Sequence, residues 1–253
     1  MDVRLETAIR AARAGGEVAM RYFRTELAVE HKSDASPVTV ADRETEQRIV
    51  AVLRESFPGH GVLGEEFGGS GESGARWIID PIDGTKSFIR GIPFFACLVA
   101  LEEDGEITTG AVYAPATDDL LYAQKGEGAY DKNGRLRVSE VGALGEAMLV
   151  FGGANVLRER GYWPAYERLV DASARQRAYG DYFGYTFVAR GQCEAMLEVD
   201  IKPWDLAPLK IIIEEAGGRF TDFAGRPTIY SGTAVASNGR VHDELLAALA
   251  GGK

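Results

Sequence analysis

Acidic residues stand at four points of the chain where carboxylates could hold divalent metal ions. They are Asp42, the pair Glu65-Glu66, the run 80–85 that reads Asp-Pro-Ile-Asp-Gly-Thr, and Asp205 after Trp204. Hard cations such as Mg2+ prefer carboxylate and carbonyl oxygens, and Mg2+ usually keeps positions for water and substrate phosphate. Carboxylates that converge from separate stretches are what two-metal hydrolysis of a phosphate ester requires. The sequence therefore predicts a magnesium site that binds a phosphate ester.

The acidic run at 80–85 directly follows an apolar segment, residues 77–79, that has the character of a strand. Pro81 favours an extended conformation for Asp80 and cannot donate to a sheet ladder. We therefore expect the strand to stop here and the carboxylates of Asp80 and Asp83 to spread from its end. The alternative is a plain turn after a strand, because Asp, Pro and Gly are all common in turns.

Composition and charge narrow the possible functions. The chain has 253 residues, 45% of them hydrophobic, and a formal net charge of -10. This charge argues against nucleic-acid binding, which needs a basic surface. It would also repel a phosphate anion unless bound cations reverse the local sign.

Cysteine content and hydropathy indicate the compartment. The two cysteines, Cys97 and Cys193, are expected to be reduced and in or near the core. The charged start of the chain lacks the pattern of a signal peptide, and no apolar run reaches the roughly 20 residues that span a bilayer. We therefore expect a cytoplasmic protein that binds neither membrane nor nucleic acid.

The first half of the chain has the pattern of two helices followed by a sheet. Amphipathic helices are predicted over 3–27 and from Thr39, as N-cap region, to about residue 56, with a polar turn at 32–37 between them. From about 61 to 140, short β-rich segments alternate with turn residues, and Asp104-Gly105 and Asn133-Gly134 are strong hairpin signals. This pattern predicts an α+β lobe over 1–144 with an antiparallel sheet that carries the main metal motif.

The second half alternates between strands and helices, which predicts an α/β lobe over 145–253 that carries Asp205 and the specificity residues. The predicted strands are 148–151, 177–179, 194–199, 219–221 and 235–237. The predicted helices are 155–173, 182–190, 205–216 and 241–250.

Together, these motifs resemble the inositol monophosphatase-like superfamily of magnesium-dependent phosphatases over essentially the whole chain. The family pattern is an aspartate, a Glu-Glu pair, Asp-Pro-Ile/Leu-Asp-Gly-Thr, and Trp-Asp followed by Gly-Gly. Here it corresponds to Asp42, Glu65-Glu66, the run 80–85, Trp204-Asp205 and Gly217-Gly218. The resemblance implies a fold between α+β and α/β, the layered αβαβα sandwich of the inositol monophosphatase-like (sugar phosphatase) fold. It also implies Mg2+ as cofactor, with two or three ions, and a homodimer.

The resemblance also implies roles for individual residues. The implied metal ligands are Glu65, Asp80, the backbone carbonyl of Ile82, Asp83 and Asp205. Thr85, with Asp42 behind it, would position the attacking water and help to deprotonate it, and Glu65 would share that water through its metal. Metal-bound water is acidic enough to need no histidine base. Asp83, Gly84, Thr85 and Asp205 would also bind the substrate, and the free N–H groups at a helix N-terminus formed by Gly84 and Thr85 could hold its phosphate. Alternative roles are a helix N-cap for Asp205 and a surface loop for Glu65-Glu66.

Two segments, 61–69 and 177–182, resemble the histidinol-phosphate phosphatase branch of this superfamily. Asp181 stands where inositol phosphatases usually have no acid, and Glu198 matches a second position that contacts substrate. An acidic pocket suits the ammonium group of L-histidinol phosphate, because charge-assisted hydrogen bonds are stronger than neutral ones. The alternatives are a helix cap for Asp181 and an exposed strand position for Glu198.

The favoured function is hydrolysis of L-histidinol phosphate to L-histidinol and phosphate, a step of histidine biosynthesis. An inositol-1-phosphate phosphatase of the same fold is the alternative. Fructose-1,6-bisphosphatase and 3'-phosphoadenosine 5'-phosphate phosphatase activities rank lower, because the sequence shows no clear basic cluster that could bind a second phosphate. The remaining alternative is a catalytically silent regulatory homologue, against which the complete set of acidic motif residues argues.

Overall fold

In a computed structural model of the chain, residues 2–26, 28–31, 37–70 and 74–250 are described. Most of the predicted polar turn at 32–37 lies outside these ranges. Across them, the helices are α1 (Val3–Tyr22), α2 (Val40–Ser56), α3 (Thr85–Phe88), α4 (Ala154–Glu159), α5 (Trp163–Ala172), α6 (Asp181–Ala189), α7 (Pro203–Glu215) and α8 (His242–Ala250).

The strands of the same ranges form one short hairpin and two larger sheets. They are β1 (Glu30–His31), β2 (Pro37–Val38), β3 (Gly61–Gly64), β4 (Gly68–Ser70), β5 (Ala75–Asp83), β6 (Ala96–Glu103), β7 (Glu106–Ala114), β8 (Asp119–Gln124), β9 (Gly128–Asp131), β10 (Gly134–Arg135), β11 (Met148–Phe151), β12 (Arg175–Arg177), β13 (Ala195–Val199), β14 (Arg219–Thr221) and β15 (Thr233–Ser237). The first large sheet has the order β10-β9-β8-β7-β6-β5-β3-β4 and the second the order β12-β11-β13-β15-β14. The first is antiparallel, as predicted, except that β3 pairs parallel with β5.

Helices lie on both faces of each large sheet. In β5, Trp77 and Ile79 pack in the cluster with α1 and α2, whereas Ile78 packs in the cluster with α6 and α7. This division follows from the alternation of side chains along a strand. Helix α7 also contacts the second sheet, whose other face is covered by α5 and α8. The predicted αβαβα sandwich is confirmed.

The two amino-terminal helices pack closely. A Cβ added to Gly15 in α1 would lie 2.7 Å from the Ile49 side chain of α2, so glycine permits this close approach. Helix α1 ends at Tyr22, earlier than predicted, because the next residue, Phe23, is extended. Thr39 caps α2, as predicted.

Strand β5 contradicts the expectation that Pro81 ends the strand. It continues to Asp83, and its pairing with β6 shifts register between Asp80, opposite Leu98, and Asp83, opposite Ala96. One extra residue therefore bulges out of β5, and Pro81 lies in this bulge. A bulge tolerates proline because the ladder needs no N–H there, and it redirects the neighbouring side chains.

Several boundaries in the second half also differ from the prediction. The single helix predicted over 155–173 is two helices, α4 and α5, which a turn at Gly161 separates with φ 82°. Strand β12 lies two residues before the predicted 177–179, and α7 begins at Pro203 rather than at Asp205. Proline suits the first turn of a helix, where its missing N–H costs nothing.

Other expectations concern cysteines, lobes and membranes. Cys97 and Cys193 are buried free thiols, as predicted. A lobe boundary near residue 144 stays a prediction; the two large sheets fall on either side of it. None of the helices in the described ranges combines the length and apolar character that crossing a bilayer requires.

Candidate metal centre and active site

Three carboxylates from two elements meet at one point. Asp80 and Asp83 leave the bulge of β5, Asp205 comes from the first turn of α7, and one oxygen of each lies within 4.8 Å of the others. Asp80 and Asp83 are buried. The bulge accounts for the placement of the first two, because it reorients residues that a regular strand would point to opposite faces.

Local backbone bonds fix the orientation of these acids. The backbone N–H of Ile82 donates to Asp80 Oδ1 at 3.0 Å, and that of Lys202 donates to Asp205 Oδ2 at 2.8 Å. Asp205 is thus the third helical residue and reaches back to the N-cap residue, so its predicted alternative as the N-cap is wrong. Asp83 accepts the backbone N–H of Tyr182, which ties β5 to the start of α6.

Glu65 joins this group from the end of β3. Its backbone N–H donates to the carbonyl of Ile79 in β5 at 3.2 Å, and its half-buried side chain lines the same cleft. Hydrogen bonding to Glu65 is one of the effects that raise the pKa of Asp80. A plain surface loop, the alternative for this pair, does not describe Glu65.

The electrostatics of the group suit a cation. Burial, then repulsion by Glu65 and Asp83, holds the pKa of Asp80 well above its usual range. Burial and repulsion by Asp181 and Asp205 do the same for Asp83. Burial, opposed by the bond from Lys202, raises the pKa of Asp205 to about 7. A divalent cation would relieve these costs, and an all-oxygen donor set with the carbonyl of Ile82 beside it fits Mg2+.

Thr85 and Asp42 form a polar chain that leads away from the cleft. Thr85 Oγ1 lies 2.9 Å from the carbonyl oxygen of Ile82 and 3.3 Å from Asp42 Oδ1. The other oxygen of the buried Asp42 accepts from the backbone and hydroxyl of Thr39, in the capping box of α2. Burial raises the pKa of Asp42, and the Thr39 bonds oppose this rise. Asp42 therefore supports Thr85 from behind.

Gly84 is required by the backbone geometry between β5 and α3. Its φ of 84° lies in the left-handed region, and a Cβ there would lie 2.8 Å from the carbonyl oxygen of Phe94. Glycine adopts this conformation without a steric penalty. Gly84 is the N-cap residue of the short helix α3, as the sequence predicts, and Thr85 begins that helix.

Asp181 begins α6 and is exposed to the cleft. Its φ of 58° is unusual for a residue with a side chain, and Gly180, not Asp181, occupies the N-cap position. The alternative of a helix cap for Asp181 is therefore wrong. Partial desolvation raises the pKa of Asp181, and the positive charge of Lys86 opposes this rise.

Glu198 lies in β13 of the second sheet and turns its side chain into the cleft. It accepts the hydroxyl of Tyr185 at 3.0 Å, and a Cβ on Gly152 would lie 2.6 Å from its Oε1. Burial, followed by the charges of Asp181 and Asp205, raises the pKa of Glu198 to about 8. Its alternative as a plain exposed strand residue is wrong.

The cleft has a volume of about 500 Å³ and contains every predicted site residue except Asp42. The predicted residues that line it are Glu65, Asp80, Ile82, Asp83, Gly84, Thr85, Asp181, Glu198 and Asp205. The metal group lies where the two sheets approach, and the acids Asp181 and Glu198 add negative charge beside it. Such a cleft can bind cations together with an anion that those cations neutralise.

Sequence reasoning missed several residues of the site. Lys86 and Asn155 line the cleft, and Tyr185 holds Glu198. Tyr185 follows Asp181 by four residues on α6. This spacing places both residues on one face of the helix, so it could have indicated that Tyr185 belongs to the site. Glu46 follows Asp42 by the same interval on α2; it is buried, and burial raises its pKa to about 7.

Comparison with known proteins gives one family for the whole chain. The model of the inositol monophosphatase family matches residues 1–252. The chain belongs to this family. It is 42% identical to a histidinol-phosphatase of Mycobacterium tuberculosis, over 99% of this chain and 98% of that protein. It is 37% identical to a fructose-1,6-bisphosphatase/inositol-1-monophosphatase of Thermotoga maritima, over 96% of this chain and 94% of that protein.

Solved structures of family members agree with the fold. The extragenic suppressor protein SuhB of Bartonella henselae superimposes with a TM-score of 0.90 at 31% identity, over 98% of both chains. The predicted superfamily is thus confirmed, and so is the resemblance to its histidinol-phosphatase branch, since relatives named for that activity are 37–42% identical.

Proposed function

We propose that the chain is a Mg2+-dependent phosphomonoesterase that hydrolyses L-histidinol phosphate to L-histidinol and phosphate. The observation that carries this proposal is the joint position of Asp181 and Glu198 in the cleft that contains Asp80, Asp83 and Asp205. The metal group accounts for the phosphate, and the further acids account for a cationic organic portion. The histidinol-phosphatase of Mycobacterium tuberculosis, similar over nearly its whole length, supports the same substrate.

In the proposed mechanism, the carboxylates of Glu65, Asp80, Asp83 and Asp205 and the carbonyl of Ile82 would hold two or three Mg2+ ions. Bound Mg2+ would neutralise the phosphate charge and make a water molecule more acidic. Thr85 would orient that water through its hydroxyl and pass its proton toward Asp42, which lies 3.3 Å away. The water oxygen would then bond to phosphorus as the ester P–O bond breaks. The histidinol oxygen would take a proton from a solvent water, and Asp42 would release the proton that it received to solvent.

Backbone groups complete the phosphate position. The N–H groups of Gly84 and Thr85 at the start of α3 would donate to phosphate oxygens, since the first N–H groups of a helix have no partner within it. Asp181 and Glu198 would accept hydrogen bonds from the ammonium of the substrate. Lys86, also in the cleft, would balance part of the negative charge.

Inositol-1-phosphate is the second candidate substrate. The fructose-1,6-bisphosphatase/inositol-1-monophosphatase of Thermotoga maritima is 37% identical to the chain. Inositol offers hydroxyls and no cation, so it gains less from Asp181. A silent regulatory role has less support, because the predicted acids of the metal group lie together as a ligand set.

The deciding test is phosphate release from L-histidinol phosphate and inositol-1-phosphate, measured side by side with Mg2+ and with a chelator. We expect a preference for L-histidinol phosphate that disappears with the chelator. A preference for inositol-1-phosphate would keep the metal mechanism and refute the roles of Asp181 and Glu198. Calorimetric titration with Mg2+ would count the ions.

We also propose that the protein is a homodimer. An exposed aromatic cluster beside the cleft supports this: the rings of Phe94 and Phe183 stack at 4.4 Å, and Phe94 and Tyr179 are 40% and 38% exposed. Aromatic residues are enriched at protein interfaces. Light scattering should give twice the mass of 27.3 kDa, and a monomer would refute the proposal.

A cytoplasmic location, supported by the two free thiols, can be tested by fractionation.

A further inference from the structure

Glu46 is a buried acid on α2 that has no place in the mechanism above. Its side chain accepts hydrogen bonds from the backbone of the turn that follows β3. Glu46 Oε2 accepts the N–H of Glu66 at 2.8 Å, and Oε1 accepts that of Phe67 at 3.2 Å. A Cβ added to Gly64 would lie 1.9 Å from Oε1, so the carboxylate also rests against that glycine. Glu46 therefore contacts the backbone on both sides of Glu65.

These contacts add a second support to the backbone around Glu65. The backbone N–H of Glu65 donates to Ile79 of β5, while the next two N–H groups donate to Glu46 of α2. The backbone of Glu65 is thus held between a strand and a helix. Its side chain leaves this support and enters the cleft beside Asp80.

A buried acid needs a reason, because a carboxylate loses hydration when it is removed from water. Glu46 is 1% exposed, and no ion pair to it occurs within the described ranges 2–26, 28–31, 37–70 and 74–250. The pair of hydrogen bonds from backbone N–H groups offsets part of this loss. Both bonds are made to a turn that presents a predicted metal ligand, which points to a positional role.

The same helix also supports the other water-activating residue. Asp42, one helical turn before Glu46, contacts Thr85 at 3.3 Å. Residues four apart lie on one face of a helix. We propose that Glu46 is a positioning residue for Glu65, and that α2 sets the separation of Glu65 and Thr85 through Glu46 and Asp42. This inference rests on the proposed magnesium-dependent function.

The test compares Glu46→Gln with the matched control Glu44→Gln. Glutamine keeps the size of Glu46 but can accept only one of the two bonds, and its amide would meet the second N–H. Glu44 lies on the same helix, is exposed, and accepts the hydroxyl of Tyr22 at 2.7 Å. Calorimetry should show Mg2+ affinity about 10-fold to 100-fold weaker for Glu46→Gln, as expected when the support of a metal ligand is lost. Glu44→Gln should bind Mg2+ as the wild type does.

A second variant reaches the same contact from the opposite partner. Gly64→Ala keeps the carboxylate of Glu46 but places a methyl group on its oxygen, so it should weaken Mg2+ binding as well. In a Glu46→Ala background that methyl group meets no carboxylate, and the two losses should not add. This variant carries the test if Glu46→Gln does not fold.

The outcomes separate the two proposals. Wild-type protein that binds no Mg2+ would refute the metal site itself. Wild-type protein that binds Mg2+, with Glu46→Gln or Gly64→Ala binding it equally well, would refute the role of Glu46 alone. Variants that lower only the melting temperature of the metal-free protein would likewise refute that role. Weakened Mg2+ binding in both, with the Glu44→Gln control intact, supports the inference.

Discussion

Replacing Asp181 by Asn tests the specificity of the cleft with little disturbance of the fold. Asn keeps the shape of the side chain and, like Asp, tolerates the left-handed φ of 58° at this position. The change removes one negative charge from the place where the ammonium of L-histidinol phosphate would bind. The expected result is a lower kcat/KM for that substrate, with little change for inositol-1-phosphate.

The size of the effect follows from the surroundings of Asp181. A hydrogen bond to a charged group contributes about 1.5–3 kcal/mol. Asp181 is exposed to the cleft and Lys86 lies near it, so screening places the expected loss nearer to 1–2 kcal/mol. That corresponds to roughly a 5-fold to 30-fold loss in kcat/KM.

The assay is phosphate release at saturating Mg2+, with both substrates and at two salt concentrations. The difference between wild type and variant should shrink at high salt, because an exposed charge pair is screened. Equal losses on L-histidinol phosphate and inositol-1-phosphate would refute the reasoning, since they would show that Asp181 serves the metal group rather than the organic portion.

Three further outcomes are expected. Asp83→Asn should abolish turnover and remove the rise in melting temperature that Mg2+ gives; full activity at ordinary Mg2+ would contradict the ligand assignment. Burial lowers the pKa of His242 to about 4, so this residue is neutral in the folded protein but gains a proton below about pH 6.5 when the chain unfolds. The free energy of unfolding should therefore fall by roughly 3 kcal/mol as the pH drops from 6.5 to 4. Chemical denaturation of His242→Gln should show a correspondingly weaker dependence of stability on pH, and an identical dependence in both proteins would contradict this reasoning. Gly84→Ala adds a methyl group 2.8 Å from the carbonyl oxygen of Phe94 at a left-handed φ, which should cost about 1–2 kcal/mol and lower the melting temperature by about 2–8 °C. The control Gly59→Ala adds a methyl group that meets no atom within 4 Å, so its melting temperature should stay unchanged. Equal shifts for the two variants would refute the claim.

The acidic motifs could be predicted from the sequence because each is local and chemically distinctive. Asp80 and Asp83 lie at the carboxyl end of a strand, and Asp205 lies in the first turn of a helix, so the sequence could place these acids within a few residues. The layered fold came from the resemblance of the motif set. The bulge of β5 does not follow from the sequence, because Pro81 alone predicts the end of a strand, whereas the structure accommodates it by a register shift.

Contacts between distant segments could not be predicted in this way. Glu46 acts on Glu66 and Phe67, 20 and 21 residues further along the chain, and only the approach of α2 to the end of β3 brings them together. The sequence also allows a helix cap at Asp181, whereas the structure gives Asp181 a left-handed φ and joins the next residue, Tyr182, to Asp83 of β5 by a hydrogen bond that local propensity does not predict. Tertiary structure decides both cases.

Helix α7 contacts both large sheets, and this has a consequence for synthesis on the ribosome. The first sheet is complete in sequence at β10, which ends at Arg135, whereas α7 ends at Glu215, about 80 residues later. At a translation rate of about 5–20 residues per second, the apolar face of the first sheet that α7 covers stays exposed for roughly 4–16 s before α7 has been synthesised. The nascent amino-terminal half should therefore be a substrate for chaperones, and a chain expressed without α7 should aggregate.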